Sequence, residues 1–385
     1  MLVSVFLSQL RKSCSYSNKN IMPENPNQPK EYDAVLGGHN PPINAAVLGG
    51  IEGIKKRFAS SILEERIKAL SDALKYGDKG LNLLLQALQD ESIEVQFAAY
   101  SLLKDRKKPR VKQQLDEFLP LFEFEVVTVD AFGKINSRRR HYARYFTEDL
   151  GNGIKLEMVL IPGGTFLMGS EEKSYEQPVH QVTVKPFFIG EYPITQEQWK
   201  AVMGYNPSSF MGGKRPVEYV SWKDAVEFCG KLSRKTGKNY GLPSEAQWEY
   251  ACRAGTTTPF HFGETITPDL VNYNGNYPYG SAPKGFYRQE TNPVYRFPPN
   301  AFGLYDMHGN VWEWCQDVWH GNYNGAPCDG SAWETGNSNY RVQRGGSWNL
   351  NAVYCRSTYR VGYALGYRDR YFGCRVALAS GFSAF

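Results

Sequence analysis

The sequence predicts an α+β protein in which a small all-α module precedes an irregular, loop-rich domain. Apolar residues recur at helical intervals between 51 and 120, and apolar residues alternate with others in Phe122–Val129. Residues 160–376 are rich in Gly, Pro, Trp and Tyr and carry only short periodic segments. We therefore expect a flexible arm at 1–50, a helical module at 51–120, a strand-containing connector at 121–154 and the loop-rich domain at 155–385.

The composition is that of a globular protein with a large core. Of the 385 residues, 42% are hydrophobic and 22% are charged, and the formal net charge is only +5. This small excess of positive charge is spread out without a long basic run, so no nucleic-acid partner is expected. The one basic cluster, Arg138–His141, is interpreted as a solvated linker turn, with a phosphate site as the alternative. No stretch approaches the roughly 20 apolar residues of a membrane span, so no membrane association is expected. The seven cysteines form no CxxC pair, which favours a reducing, cytoplasmic location.

The helical module contains three predicted helices. Leucines and isoleucines between Leu63 and Leu74 define the first, those between Leu81 and Leu88 the second, and Asp90–Leu103 the third. The third segment resembles a HEAT-type helix, although fewer than two full repeats are present, which excludes a long solenoid. Modules of this type supply protein contacts, so we expect a protein partner here; the alternative is a packing cap for the next domain.

Six motifs follow one another in the loop-rich domain. They are GGTFLMGS at 163–170, PITQEQW at 193–199, PVEYVSW at 216–222, LPSEAQWEYA at 242–251, GLYDMHGNVWEW at 303–314 and RGGSW at 344–348. As an ordered set they resemble the formylglycine-generating enzyme (sulfatase-modifying factor) family over about residues 155–376. The resemblance implies a compact mixed domain related to C-type lectin folds. Within it, periodicity predicts helices at Trp222–Leu232 and Ser244–Cys252.

Active members of this family use two cysteines near the C-terminus to bind Cu(I), which activates oxygen and converts a substrate cysteine to formylglycine. When the chain is aligned on Gly345-Gly-Ser347, the second cysteine falls on Cys355 and the first on Leu350. Because soft Cu(I) favours a pair of thiolates, the resemblance implies that copper is not a cofactor and that the chain is not an oxidase. Cys374 is interpreted as a buried structural cysteine. An oxidase in which Cys355 acts with another thiol, such as Cys374, remains the alternative.

The resemblance also implies calcium, which the family binds at two sites. At the first site, two carboxylates and two backbone carbonyls match, from Asp306, Glu313, Gly309 and Val311. The second site would use Asn272, but Phe286 occupies its expected acidic position. The alternative role for the two carboxylates of the first site is to cap turns or to pair with an arginine such as Arg344.

Two other branches of the family suggest different uses of the domain. One makes sulfoxides with iron held by three histidines of an attached helical domain, and the helical part here has no histidine between His39 and His141. The other comprises variable proteins of diversity-generating retroelements, whose adenine-rich codons reach Tyr, Asp and Ser but not Lys, Glu, Gln, Met or Trp. Residues 349–374 contain none of those five residue types and contain five tyrosines. The alternative is a fixed aromatic surface.

The leading prediction is a catalytically inactive protein that binds a protein or other macromolecular ligand through a tyrosine-rich surface. Tyrosine offers a large contact area and a hydroxyl at a low entropic cost. The recognition segment is 344–376. The predicted contact residues are Asn349, Leu350, Asn351, Val353, Tyr354, Tyr359, Val361, Tyr363, Leu365, Tyr367, Asp369 and Tyr371.

Overall fold

The computed structural model describes residues 50–336 and 339–379, which form two compact units, one ending at Gln89 and one beginning at Asp90. Helices and sheets are mixed, and the N-terminal region is helical, as predicted. The predicted arm lies outside the described residues except for Gly50. Within the described ranges, no helix is long and apolar enough to cross a bilayer.

The first unit contains α1 (Gly50–Phe58), α2 (Leu63–Ala73) and α3 (Gly77–Ala87), with a short 3-10 turn at Leu74–Tyr76. The predicted apolar positions pack its core, where Leu70 and Leu84 are fully buried. The third predicted helix is α4 (Ile93–Leu103), and it belongs to the second unit. The likeness to a HEAT repeat stays a prediction.

The second unit begins with α4 and α5 (Pro109–Asp116), followed by the three antiparallel strands β1 (Leu121–Val129), β2 (Ile135–Gly151) and β3 (Ile154–Ile161). Both predicted strand segments are confirmed. The interpretation of Arg138–His141 as a turn is wrong, because these residues lie within β2. They pair with Phe124–Val127 of β1, so cross-strand partners outweigh the preference of a charged run for a loop.

Three further helices in the second unit begin with capping boxes. They are α6 (Gln196–Met203), α7 (Trp222–Thr236) and α8 (Glu245–Arg253), capped by Thr195, Ser221 and Ser244. The helices α7 and α8 confirm the two predicted from periodicity, whereas α6 was not predicted. Between Arg253 and Trp312 the described chain has no helix and no named strand, as a loop-rich domain requires.

The remaining strands are short. They are β4 (Gly164–Met168), β5 (His180–Val184), β6 (Phe187–Gly190), β7 (Tyr240–Gly241), β8 (Trp312–Val318), β9 (Tyr340–Arg344), β10 (Arg360–Ala364), β11 (Phe372–Cys374) and β12 (Ala377–Ala379). One sheet has the order β1-β2-β3-β6-β12-β7, a second has the order β10-β9-β8-β11, and β4 pairs with β5 alone. Short 3-10 turns lie at Ser174–Glu176 and Ala352–Cys355. Two strands of the second sheet, β10 and β11, lie within the recognition segment, and most of the remaining segment is irregular.

Two hydrophobic clusters support that segment. The tryptophan cluster includes Trp199, Phe228, Trp312, Trp314, Phe372 and Cys374, and the phenylalanine cluster includes Phe260, Phe262, Tyr273 and Cys355. The tryptophans at 312, 314 and 348 are at most 4% exposed, so they are core residues.

Buried arginines connect the loops of the second unit. The Arg344 guanidinium donates to Glu245 Oε1 at 2.8 Å, to Glu249 Oε2 at 2.5 Å and to the Ser357 carbonyl at 2.6 Å. Arg360 binds both oxygens of Glu245, at 2.6 and 2.8 Å. Burial alone would raise the pKa of the Glu245 and Glu249 carboxyls, but the neighbouring arginines lower it, so both stay ionised. Arg344 therefore links α8 to β9 and to the recognition segment.

Replacing Arg344 by Met should lower the free energy of unfolding by about 3–5 kcal/mol, because Glu245 and Glu249 would stay buried with fewer positive partners. Urea denaturation followed by circular dichroism measures this change. Arg138→Met is the control, since Arg138 pairs with Glu125 on the surface and its loss should cost less than about 1 kcal/mol. Equal losses in the two variants would contradict a structural role for the buried arginine.

Candidate ligand-binding face

Half of the predicted contact residues form a layer on the tryptophan cluster. Six of them are half-buried and pack side by side on the tryptophan cluster: Leu350, Tyr354, Tyr359, Val361, Tyr363 and Tyr371. Tyr367 is exposed, and each of the other five is half-buried. Alternation produces this arrangement along β10, because Arg360 points inward while its neighbours Tyr359 and Val361 stay partly accessible. The segment therefore presents aromatic side chains that are accessible to solvent on a firmly packed base.

The most accessible part of this layer is a tyrosine face made by Tyr363, Tyr367, Asp369 and Tyr371. The Tyr363 and Tyr367 rings stack with centroids 5.5 Å apart, and the Tyr367 hydroxyl donates to Asp369 Oδ2 at 3.2 Å. All three tyrosine rings lie within 5.4 Å of the Phe372 ring, which is fully buried. Aromatic packing from below thus limits the rotamers of the rings that a ligand would meet.

Side chains far away in sequence extend this face. Tyr219 is 46% exposed, and its backbone N–H donates to the Asp369 carbonyl at 2.9 Å. The Arg368 guanidinium binds Asp224 at the start of α7 with two hydrogen bonds, of 2.6 and 2.7 Å. Sequence reasoning missed Tyr219. Its exposed aromatic ring sits at a positive φ of 67°, a conformation that no local sequence motif signals.

A second aromatic group adjoins the face at Trp348. The Trp348 indole donates to the Arg370 carbonyl at 3.1 Å, and the Arg370 guanidinium lies 5.6 Å from the indole centroid. The rings of Phe210 and Tyr287 pack on the same indole, with centroids 5.4 and 6.2 Å away. Loops that carry Phe210, Tyr287 and Arg370 therefore meet at Trp348. Of these three loops, the sequence analysis placed only the one with Arg370 in the recognition segment.

The two positions that align with the copper cysteines do not form a thiolate pair. Leu350 packs on the tryptophan cluster, whereas Cys355 lies in the phenylalanine cluster and is fully buried. Burial raises the pKa of the Cys355 thiol to about 12, so it is protonated at neutral pH. A Cβ on Gly346 would lie 2.5 Å from Cys355 Sγ, which shows how closely the backbone covers the sulfur. These residues do not fit a two-thiolate copper site.

None of the other cysteines in the described part of the chain is disulfide-bonded to Cys355. Cys374 is fully buried in the tryptophan cluster, as predicted, together with Cys229 rather than with Cys355. Cys252 and Cys315 are also fully buried, and burial raises the pKa of the Cys252 thiol to about 12. Among the described residues the only exposed cysteine is Cys328, and all six are unpaired.

The four predicted calcium ligands have different surroundings. The Glu313 carboxylate accepts from Trp248 Nε1 at 2.7 Å and from the Arg375 guanidinium at 3.0 Å. Asp306 is buried, its Oδ2 has no hydrogen-bond partner, and burial raises its pKa to about 7. Gly309 has a φ of 74° and lies close to Asn272, whose Oδ1 is also buried without a partner. Phe286, at the doubtful second site, is 69% exposed.

These oxygens fit a cation beside Asp306 better than one beside Glu313. A buried carboxylate oxygen without a donor is unfavourable unless a cation, a water molecule or a proton satisfies it. Glu313 already has a buried cationic partner, so a metal would have to compete with Arg375. The Glu313 carboxylate therefore pairs with an arginine, which was the alternative to calcium binding. Its partner is Arg375 and not Arg344.

A mixed fold with a packed, tyrosine-rich C-terminal segment and six ordered motifs defines the class to which this chain belongs. Residues 151–380, more than half of the chain, match the family model of the sulfatase-modifying factor enzyme 1-like domain. The chain therefore belongs to the formylglycine-generating enzyme family.

Its relatives include both active and inactive members by name. The chain is 32% identical to the chaperone protein LppX of Paenibacillus barcinonensis, over 50% of this chain and 78% of that protein. It is 32% identical to the formylglycine-generating enzyme of Mus musculus, over 50% of this chain and 51% of the enzyme. It is 30% identical to the inactive C-alpha-formylglycine-generating enzyme 2 of Bos taurus, over 52% of this chain and 79% of that protein.

Two solved structures have a similar fold. Treponema denticola variable protein 1 is 29% identical with a TM-score of 0.54, and the match covers 61% of this chain and 99% of that one. PvdO from Pseudomonas aeruginosa is 34% identical with the same TM-score, covering 61% and 98%. A variable protein is therefore among the solved structures that this chain resembles, as the sequence analysis predicted.

Proposed function

We propose that this protein is a catalytically inactive member of its family that binds a macromolecular ligand, with a protein as the first candidate, through the tyrosine face. The observation that carries the proposal is the arrangement of Leu350 and Cys355. Leu350 has no thiol, and Cys355 is a buried neutral thiol. The two residues pack in different hydrophobic clusters. The surface of the same segment is instead made of tyrosines held in place from below.

The composition of the face supports recognition of a protein. Interface centres are enriched in Tyr and Arg, and the face combines three tyrosines with the nearby, exposed Arg370. Because Phe372 already orders the rings, little side-chain entropy would be lost on binding. The similarity to Treponema denticola variable protein 1 favours a diversified version of this face.

Binding can be tested by selecting peptides from a random display library on the full chain. Tyr367→Ala should weaken the selected binders about tenfold or more, because an exposed central tyrosine contributes on the order of 1–2 kcal/mol to an interface. Phe132→Ala is the matched control, since Phe132 is an exposed aromatic residue on the β1–β2 turn, 67% exposed against 42% for Tyr367. Binders that tolerate the loss of both Tyr367 and Tyr371 would argue against the face.

The diversified version predicts a second copy of the coding sequence for residues 349–374 near a reverse transcriptase gene, with adenine at the variable codons. Sequencing the surrounding DNA tests this directly. Without such a copy, the same tyrosines would form a fixed surface, and the peptide selection would be the remaining test of binding.

The alternative function is a copper-dependent oxidase that makes formylglycine on a sulfatase-type cysteine. Incubation with Cu(I), a reductant, oxygen and a Cys-x-Pro-x-Arg peptide should leave the peptide mass unchanged, because Cys355 has no second thiolate within its own hydrophobic cluster. Mass spectrometry reads out the result. Formylglycine formation that disappears in Cys355→Ala would overturn the assignment of an inactive protein.

We further propose that calcium binds beside Asp306, with the carbonyls of Gly309 and Val311 as additional ligands and Glu313 retained by Arg375. The unpartnered Asp306 Oδ2 supports the proposal. Millimolar Ca²⁺ should then raise the thermal midpoint of the wild-type protein, and Asp306→Asn should remove the increase. Asp329→Asn, on an exposed loop, is the control. If Mg²⁺ or Na⁺ stabilised the protein equally at the same ionic strength, the effect would not be a calcium site.

A further inference from the structure

The β1–β2 hairpin covers a cavity of about 280 Å³ that no predicted function uses. Strand alternation divides the basic cluster of β2 between two faces. Arg138 and Arg140 face outward and pair with Glu125 and Glu123 of β1. Val126, Ala254 and Ala301 give the cavity an apolar part. Its polar and basic lining residues are Thr128, Ser137, Arg139, His141, Arg253, Thr256 and His261.

The inner wall of the cavity contains a buried histidine with no partner. His261 is 5% exposed, and neither of its ring nitrogens has a hydrogen-bond partner. A neutral imidazole carries one N–H donor and one acceptor, and leaving both unmet in a protein interior is unfavourable. The described part of the protein supplies no hydrogen-bond partner for the His261 ring, so a bound molecule would have to supply one.

The position of this ring is fixed from several sides. His261 lies at the tip of a tight turn in which the backbones of Phe260 and Gly263 hydrogen-bond to each other at 3.0 and 3.2 Å. The flanking Phe260 and Phe262 are at most 1% exposed, and Val129 N–H donates to the Phe262 carbonyl at 2.8 Å. The ring also stacks on His308, with centroids 4.8 Å apart. His261 is thus held at the cavity wall and cannot turn outward to find water.

His308 shows the contrast with a satisfied histidine. Its Nε2 accepts from the His261 backbone N–H at 3.1 Å, so its Nδ1 carries the proton and donates to the Cys355 carbonyl at 2.7 Å. Both nitrogens of His308 are therefore used. Of the two stacked histidines, only His261 has unmet hydrogen-bonding capacity, and His261 is the one that lines the cavity.

Two guanidinium groups line the cavity, and Arg139 carries an uncompensated positive charge among the described residues. Arg139 forms no ion pair or hydrogen bond within the part of the chain that is described. Arg253 uses Nε for Glu249 and Nη2 for the Gly169 carbonyl, which leaves Nη1 available. Among residues 50–336 and 339–379, no Asp or Glu lines the cavity. Guanidinium groups, a hydroxyl from Ser137 and an imidazole N–H are the donors that bind phosphate-type oxyanions.

We infer that this cavity binds a small oxyanion of the phosphate class, held by Arg139, Arg253 and His261. Arg139 is exposed at the mouth of the cavity, whereas Arg253 and His261 are buried. An anion entering there would supply acceptors to all three residues at once. The volume exceeds that of a single phosphate, so a small phosphate ester also fits.

Calorimetric titration of the full chain with inorganic phosphate tests the inference. We expect saturable binding and a rise of about 2 °C or more in the thermal midpoint at saturating phosphate, with no such rise in acetate or chloride of equal ionic strength. Arg139→Gln should weaken binding at least tenfold. Arg138→Gln, its neighbour on the outer face, should leave binding within twofold of the wild type.

A second variant separates binding from folding. His261→Phe keeps an aromatic ring against His308 and removes the two unpartnered nitrogens, so the unliganded protein should be as stable as the wild type while losing the response to phosphate. If this variant does not fold, Arg139→Gln still tests phosphate binding. Arg139 is exposed and has no partner among the described residues, so its replacement should not affect folding.

The inference is overturned if phosphate acts no differently from acetate and chloride, or if Arg138→Gln and Arg139→Gln weaken binding equally. The second result would indicate general attraction of anions to a basic strand. Tyr367→Ala should bind phosphate like the wild type, so failure of the tyrosine face as a recognition surface and failure of this cavity as an anion site can be told apart.

Discussion

The second unit depends on buried guanidinium groups that satisfy carboxylates and backbone carbonyls together. Arg344, Arg360 and Arg375 are each at most 1% exposed, and each joins a buried glutamate to a carbonyl of an irregular segment, at Ser357, His320 and Tyr305 respectively. A chain with so few helices and strands has many carbonyls that no regular ladder can pair. Arginine suits this task because its five donors are fixed in one plane and stay charged when buried.

The same ion pairs separate the scaffold from the surface within one short segment. Arg356 and Arg360 point inward to Glu176 and Glu245, whereas Tyr359, Tyr363 and Tyr367 lie toward solvent. The stability of the segment is therefore carried by residues other than those that a ligand would contact. Such a division lets the exposed side chains differ without loss of the fold, which is the property a recognition surface needs.

Thiol chemistry and recognition place opposite demands on this region. A copper-binding thiolate needs a lowered pKa and access for metal and substrate, whereas Cys355 is covered by the Gly346 backbone and has a raised pKa. Recognition needs exposed groups of fixed geometry, which Tyr363 and Tyr367 supply. The physical chemistry of the segment thus favours a contact surface, in a family whose named relatives include an inactive enzyme.

The sequence by itself determined the family, the mixed fold, the capped helices α7 and α8 and the missing thiol at Leu350, since motifs and periodicity are local properties. Only the tertiary structure decided that Tyr219 joins the face and that Glu313 binds Arg375. The tertiary structure also showed that the basic cluster lies in strand β2 rather than in a turn, and that Arg139 and His141 line a cavity together with His261. These contacts join residues far apart in the chain, and in a loop-rich domain no sequence period encodes which loops meet.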